Sequence, residues 1–153
     1  KIAAEPAIPE DYPKPIRHLS ASDGSTLNLG RTRLRFFQTP GETPGVLSTR
    51  FTVYDNGYPH EAFLFGGADL NFAGIQQTEL YINSVERLMQ LEGIEVNIPN
   101  HPEFGEVFER YEILLEREDG DFHPFVDPES WDAWLEILML NAQAKLERER
   151  LAN

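Results

Sequence analysis

The chain contains no cysteine. That excludes a disulfide framework, a thiol nucleophile and any cysteine-ligated metal site, leaving histidine, carboxylates, hydroxyls or an added cofactor to carry any chemistry. Histidine is scarce as well. His18, His60, His101 and His123 all lie more than twenty residues apart, so neither an HxH nor an HExxH pair occurs. Basic residues are few: 13 Lys and Arg stand against 26 Asp and Glu, for a formal charge of -13. Such an excess disfavours non-specific attraction to nucleic acid or to an anionic membrane face, and neither is expected as a partner. Long hydrophobic runs are lacking too. No stretch is long and apolar enough to span a bilayer, and no signal-peptide pattern opens the chain. It begins on Lys1 rather than Met, as a chain numbered from after a processed leader, or from inside a longer protein, would.

What is present suits one domain: 153 residues suffice to bury roughly two thirds of the unfolded surface. Residues 1–15 carry Pro6, Pro9, Pro13 and Pro15 among Ala, Glu and Asp, a composition that favours an extended arm or linker. From residue 16 to 153 the pattern is that of packed structure. Short strands are expected at Arg17 to Ser20, Thr26 to Leu29 and Arg33 to Gln38, with Asp23-Gly24 as a turn. Leu47, Thr49, Phe51 and Val53 alternate with Ser48, Arg50 and Thr52, as in a strand with one buried face. Asp55-Asn56-Gly57 turns this strand back into a hairpin that ends at Ala62 to Phe65 and is stopped by Gly66-Gly67.

Helical spacing then predicts a helix from Ile75 to Leu91, with Leu80, Ser84, Leu88 and Leu91 near one face and Gly93 as its C-terminal cap. Ile94, Val96 and Ile98 form a short strand, broken by Pro99-Asn100-His101-Pro102. A second helix is expected over Glu103 to Glu116, with Phe104, Val107, Phe108, Tyr111, Leu114 and Leu115 as its apolar stripe. Asp127-Pro128-Glu129-Ser130 starts the last and longest helix. The fold class is α+β, a mainly antiparallel sheet with helices on one face. Strands carrying Phe36, Phe37, Phe51 and Phe65 on both sides ask for a second layer on the other face.

The stretch between the third and fourth expected strands is the most constrained. In Thr39-Pro40-Gly41-Glu42-Thr43-Pro44-Gly45 two Thr-Pro-Gly units bracket one carboxylate. Proline fixes φ and glycine opens the left-handed region, so the doubled unit makes a rigid bend with Glu42 at its tip. The ordinary alternative is two turns with a solvated Glu.

Taken together and in order, this loop, Leu64-Phe65-Gly66-Gly67 and Asn100-His101-Pro102 resemble the C-terminal half of the metallo-β-lactamase superfamily, over nearly all of the chain from about Arg17. Family members carry Thr-Pro-Gly-His-Thr-Pro-Gly, an antiparallel pair, a Gly-Gly or Gly-Asp turn, a helix, and a strand ending in a metal-binding His. His123-Pro124-Phe125-Val126 before a long terminal helix is most like the cysteine-free subclass. The resemblance implies half of a four-layer αβ/βα sandwich with its metal site along the edge where two sheets meet. Two departures follow. The family's HxHxDH motif belongs to the N-terminal half and does not occur here, and Glu42 stands where the family has a zinc-ligand His.

The metal ligands implied are thus Glu42 and His101, with zinc as the cofactor, dinuclear only in the complete protein. A carboxylate is an acceptable zinc ligand but weakens the metal as a Lewis acid, so a harder divalent ion or a degenerate site is the alternative. For His101 the alternative is a turn residue bonded to backbone. His123 reads as a structural hydrogen-bonding residue, Asp69 as a turn or cap residue, His60 as an exposed residue where a turn leads into a strand, and His18 as incidental. Gln38 and Ser48 flank the loop, as ordinary sheet positions or as supports for a ligand.

Two functions compete. One is a metal-dependent hydrolase of an amide, lactam or ester bond, whose N-terminal metal-binding half is supplied elsewhere, so that this chain alone is inactive. The other is a non-catalytic binding or assembly module with a degenerate metal site. In either case the partner is the N-terminal half of the same fold, a second chain or a homodimer mate, meeting the sheet face.

Overall fold

The computed structural model of the chain describes Ile16 and residues 18–152, so the expected arm over 1–15 lies outside the described residues. Five strands form one sheet in chain order: β1 (Thr26–Leu29), β2 (Thr32–Gln38), β3 (Leu47–Asp55), β4 (Tyr58–Phe65) and β5 (Val96–Pro99). The first four are antiparallel neighbours, and β5 runs parallel to β4 with Leu64 beside Ile98. A parallel neighbour needs a crossover. α1 (Ile75–Leu88) provides it.

Sheet register separates the faces. Phe37 lies opposite Ser48, and Arg50 opposite Phe63, which puts Phe37, Phe63 and Phe65 on one side. There they meet Tyr81, Val85 and Leu88 of α1 and Trp131, Trp134, Leu135, Leu138 and Ala142 of the terminal helix α3 (Pro128–Leu151). Tilted and edge-on ring pairs such as Phe63 with Trp131 (5.1 Å) and Phe65 with Trp134 (6.0 Å) build this core. On the opposite face the cross-strand row Phe36, Thr49, Leu64, Ile98 is only half-buried. The expected arrangement of a mainly antiparallel sheet with helices on one face holds.

Several expectations differ in detail. His18 to Ser20 form no strand; Leu19 is 73% exposed, so no neighbour rewards its ordering, and Arg17 lies outside the described residues. The Asp23-Gly24 turn does form, with Gly24 at φ 72. It is pinned by Gly24 N–H to the Phe36 carbonyl (2.8 Å) and by Asp23, which accepts from the Gln38 N–H (2.9 Å) and from both terminal nitrogens of Arg87 (2.8 and 2.9 Å).

α1 ends at Leu88 rather than Leu91, because its last turn tightens: Gln90 and Leu91 donate three residues back, and Gly93 at φ 73 swings Ile94 into the core. Its buried face is Thr78, Tyr81, Ser84, Val85 and Leu88, while Leu80 faces outward. The helix expected from Glu103 is a short turn over Pro102–Phe104, then a break, then α2 (Val107–Leu115). Gly105 makes the break by packing on Pro99, where an added Cβ would lie 2.7 Å from the ring. None of α2's residues is fully buried: of the expected apolar stripe, Phe104 in the short turn packs against the core, Val107 and Leu114 are half-buried, and Phe108, Tyr111 and Leu115 are exposed. α3 starts as expected: Asp127 caps it, accepting from the Ser130 N–H at 3.2 Å, with Pro128 in the first turn.

Candidate functional site

The 39–45 loop crosses the edge of the sheet where β2 ends and β3 begins, and its conformation is held from three directions. At its base the Thr39 N–H donates to the Val46 carbonyl (3.1 Å), and the Thr39 and Ser48 hydroxyls lie 2.6 Å apart in a buried hydrogen bond. Ser48 Oγ also accepts from the Gly66 N–H at 3.1 Å, tying the loop to the turn after β4. From below, α1 supplies Gln77 and Ser84. The Gln77 amide donates to the carbonyls of both Gly41 (2.8 Å) and Glu42 (3.0 Å), and Ser84 Oγ donates to the Pro40 carbonyl (2.7 Å). Between them Tyr81 sits directly under Gly41: a Cβ there would lie 2.7 Å from Tyr81 Cβ. Residues 77, 81 and 84 share one face of the helix. That face carries the loop.

Glu42 rests on the Gly66-Gly67 turn, where a Cβ at Gly67 would come within 3.4 Å of Glu42 Cβ and 2.9 Å of the Val46 methyls. Its Oε2 is sealed from solvent and receives no hydrogen bond among the described residues. A buried carboxylate oxygen without a donor is costly. The Glu42 and Asp69 charges add to burial, the larger cause, in pushing the Tyr81 hydroxyl above its usual range. That hydroxyl donates to the Ala68 carbonyl at 2.8 Å.

His101 follows β5 and reaches the same turn through its neighbour. Asn100 Nδ2 donates to the Gly66 carbonyl (3.2 Å), and Asn100 Oδ1 accepts from the Ala68 N–H (3.4 Å). Gly66 to Ala68 is therefore the hub between Glu42 and His101. The His101 ring stands edge-on to Phe104 at 5.6 Å, its carbonyl accepts from the Phe104 N–H, and no described residue hydrogen-bonds the imidazole. Among the described residues, no group of three or more His, Asp or Glu side chains could hold a metal ion. Glu42 has an unpaired buried oxygen and His101 an imidazole with no described hydrogen bond, the kinds of donor such an ion takes. They do not complete a donor set.

The remaining candidates separate clearly. Asp69 Oδ1 accepts from the Leu70 N–H (2.7 Å), as a turn residue does. His123 Nδ1 accepts from the Phe125 N–H (3.2 Å), a structural bond. His60, read from the sequence as exposed, is half-buried on β4 with Nδ1 3.3 Å from Glu95 Oε1. Its expected exposure fails because the register places it opposite Val53, inside the sheet. Gln38 is exposed and bonds through its backbone to Asp23 and Arg87 rather than to the loop, whereas Ser48 is the flanking residue that supports it. Gln77, Ser84 and Asn100 are the supports that the sequence reading missed; the signal for the first two was polar side chains on an otherwise apolar helix face.

No protein-family model matches the chain, and no curated protein does. Solved structures do. BJP-1, a subclass B3 metallo-β-lactamase of Bradyrhizobium japonicum, is 23% identical with a TM-score of 0.78, over 92% of this chain and 54% of that one. The native FEZ-1 metallo-β-lactamase from Legionella gormanii is 23% identical with a TM-score of 0.75, over 84% and 50%. The Rm3 metallo-β-lactamase is 25% identical with a TM-score of 0.71, over 85% and 51%. The chain carries the metallo-β-lactamase superfamily fold, over about half the length of the solved structures it matches.

Proposed function

We propose that this chain is the C-terminal half of a metal-dependent hydrolase, with Glu42 and His101 contributing ligands to a site that an N-terminal half of the same fold completes. One observation carries the reading: Glu42 Oε2 is buried without a donor, on a loop that Gln77, Ser84 and the Thr39–Ser48 pair hold in place. Glu42 and His101 would help to hold a divalent ion there, zinc by resemblance to the family, which would supply Lewis acidity toward an amide, lactam or ester carbonyl. This chain's part is to hold two donors at a fixed edge. Glu42 would bring a carboxylate that offsets part of the ion's charge, and His101 an imidazole standing edge-on to Phe104.

A second reading, a binding or assembly module with a degenerate site, is favoured by the glutamate standing where the family has histidine. Metal content separates the two. The complete protein is expected to retain about two zinc ions per chain in the hydrolase reading, from the family's dinuclear site, and Glu42→Gln to retain less. Equal metal in both proteins removes Glu42 from the ligand set, and no metal in either selects the module.

A further inference from the structure

α2 is a helix whose own sequence does little to secure it. It has nine residues and no fully buried side chain, whereas isolated helices shorter than about 12 residues are marginal in water. Its N-cap is Glu106, held in the left-handed region at φ 52 with no side-chain capping bond. Arg110 anchors its inner side, donating to the Pro124 carbonyl (2.6 Å) and to Asp127 Oδ2 (3.1 Å). Just beyond its end Arg117 grips Asp55 at 2.9 and 2.7 Å.

Its outer side carries two parallel ridges. Phe108, Tyr111 and Leu115, at i, i+3 and i+7, are 65, 51 and 62% exposed. Three large apolar side chains on one helical ridge form a contiguous patch rather than scattered exposure. Directly beside it, at 109, 112 and 116, stand three exposed glutamates. The described ion pairs do not use them.

We propose that this face of α2 docks a basic amphipathic segment of a partner protein, its apolar side on Phe108, Tyr111 and Leu115 and its Lys or Arg side chains against Glu109, Glu112 and Glu116. Charge complementarity selects the occupant. A second copy brings the same glutamates and a further -13, so like charges would meet along the ridge. A basic segment is drawn to it, and the exposed i, i+3, i+7 side chains supply the apolar ridge that helix-in-groove recognition uses. The proposal is independent of the metal reading.

A fluorescein-labelled 14-residue peptide of Leu and Lys at helical spacing tests it by anisotropy against the whole chain. The paired substitution Phe108→Ser with Tyr111→Ser leaves every charge in place and is expected to weaken binding at least about tenfold, since truncated apolar anchors dominate such interfaces. Glu109→Lys with Glu112→Lys is expected to weaken it comparably. Leu140→Gln, at an exposed apolar position on α3, leaves binding unchanged, and a Leu and Glu peptide does not bind. Circular dichroism confirms that each variant is folded. Equal affinity in the serine variant would show only general attraction to an acidic surface and overturn the proposal. So would equal binding of the acidic peptide, or an oligomer of the chain that the serine substitutions dissolve.

Discussion

The hydroxyls of Thr39 and Ser48 face each other across the base of the loop, 2.6 Å apart and fully buried. Ser48 Oγ carries a second bond, from the Gly66 N–H, so one oxygen joins β3, the loop and the turn after β4. Ser48→Ala strands both partners in a buried setting and is expected to cost about 1–3 kcal/mol. Denaturant unfolding measures it; a loss below about 0.5 kcal/mol, the range of ordinary surface changes, would mean that the junction is not held this way.

Gly41 and Tyr81 make the same point from the helix side. An alanine at 41 meets both the Cβ and the Cα of Tyr81 at under 3 Å, and backbone cannot step aside as a flexible side chain can. Gly41→Ala is expected to destabilise by about 1–3 kcal/mol through overpacking. Gly45→Ala, with open space around it, serves as the control. Similar melting curves for the two variants would contradict the contact.

Acid should loosen the clasps between distant segments. Arg87 holds the Asp23 carboxyl below its usual range, chiefly by hydrogen bonding, and Arg117 does the same for Asp55. A carboxylate whose folded pKa is depressed contributes stability that is fully present above its unfolded value, about 3.9, and lost as pH falls through the folded value. The wild-type chain is therefore expected to lose stability between roughly pH 5 and 2, and Asp23→Asn to show a shallower loss over that window. Parallel curves would sink the assignment for Asp23.

The half-buried row Phe36, Thr49, Leu64 and Ile98 leads to a measurement on the chain alone. Studied without a partner it is expected to bind an apolar dye and to self-associate through this face. Leu64→Glu should reduce both, and substitutions on α2 should leave the self-association as it was. A monodisperse monomer in light scattering without dye binding would rule this out.

What the sequence made readable was decided locally. The Asp55-Asn56-Gly57 turn and the Asp127-Pro128 helix start are determined by φ preferences and capping bonds within a few residues, and each stands where local chemistry put it. In the doubled Thr-Pro-Gly, by contrast, Gly41 and Gly45 do not take the left-handed φ expected of them, and Gly41 is required by the close approach of Tyr81. The failures depend on distant partners. Leu19 alternates like a strand residue but has nothing to pair with, and Phe108 and Tyr111 have helical spacing but no surface to cover. The buried face of α1 was set one residue off because Leu80 is more apolar than Tyr81. Tyr81 is nevertheless the residue whose hydroxyl finds the Ala68 carbonyl. The site shows the same division: Glu42 and His101 are visible as motif positions, whereas Gln77, Ser84 and Asn100 become legible only once the helix, the loop and the turn are side by side.

The clamp on the loop also bears on how the chain could change over generations. Gln77 and Ser84 grip carbonyls rather than side chains, and Gly41 and Gly67 admit no alternative. The backbone at position 42 is therefore set without reference to what residue 42 is. It works as a socket. A lineage could exchange the side chain it holds, histidine for glutamate or the reverse, in a single substitution while the scaffold around it stays untouched.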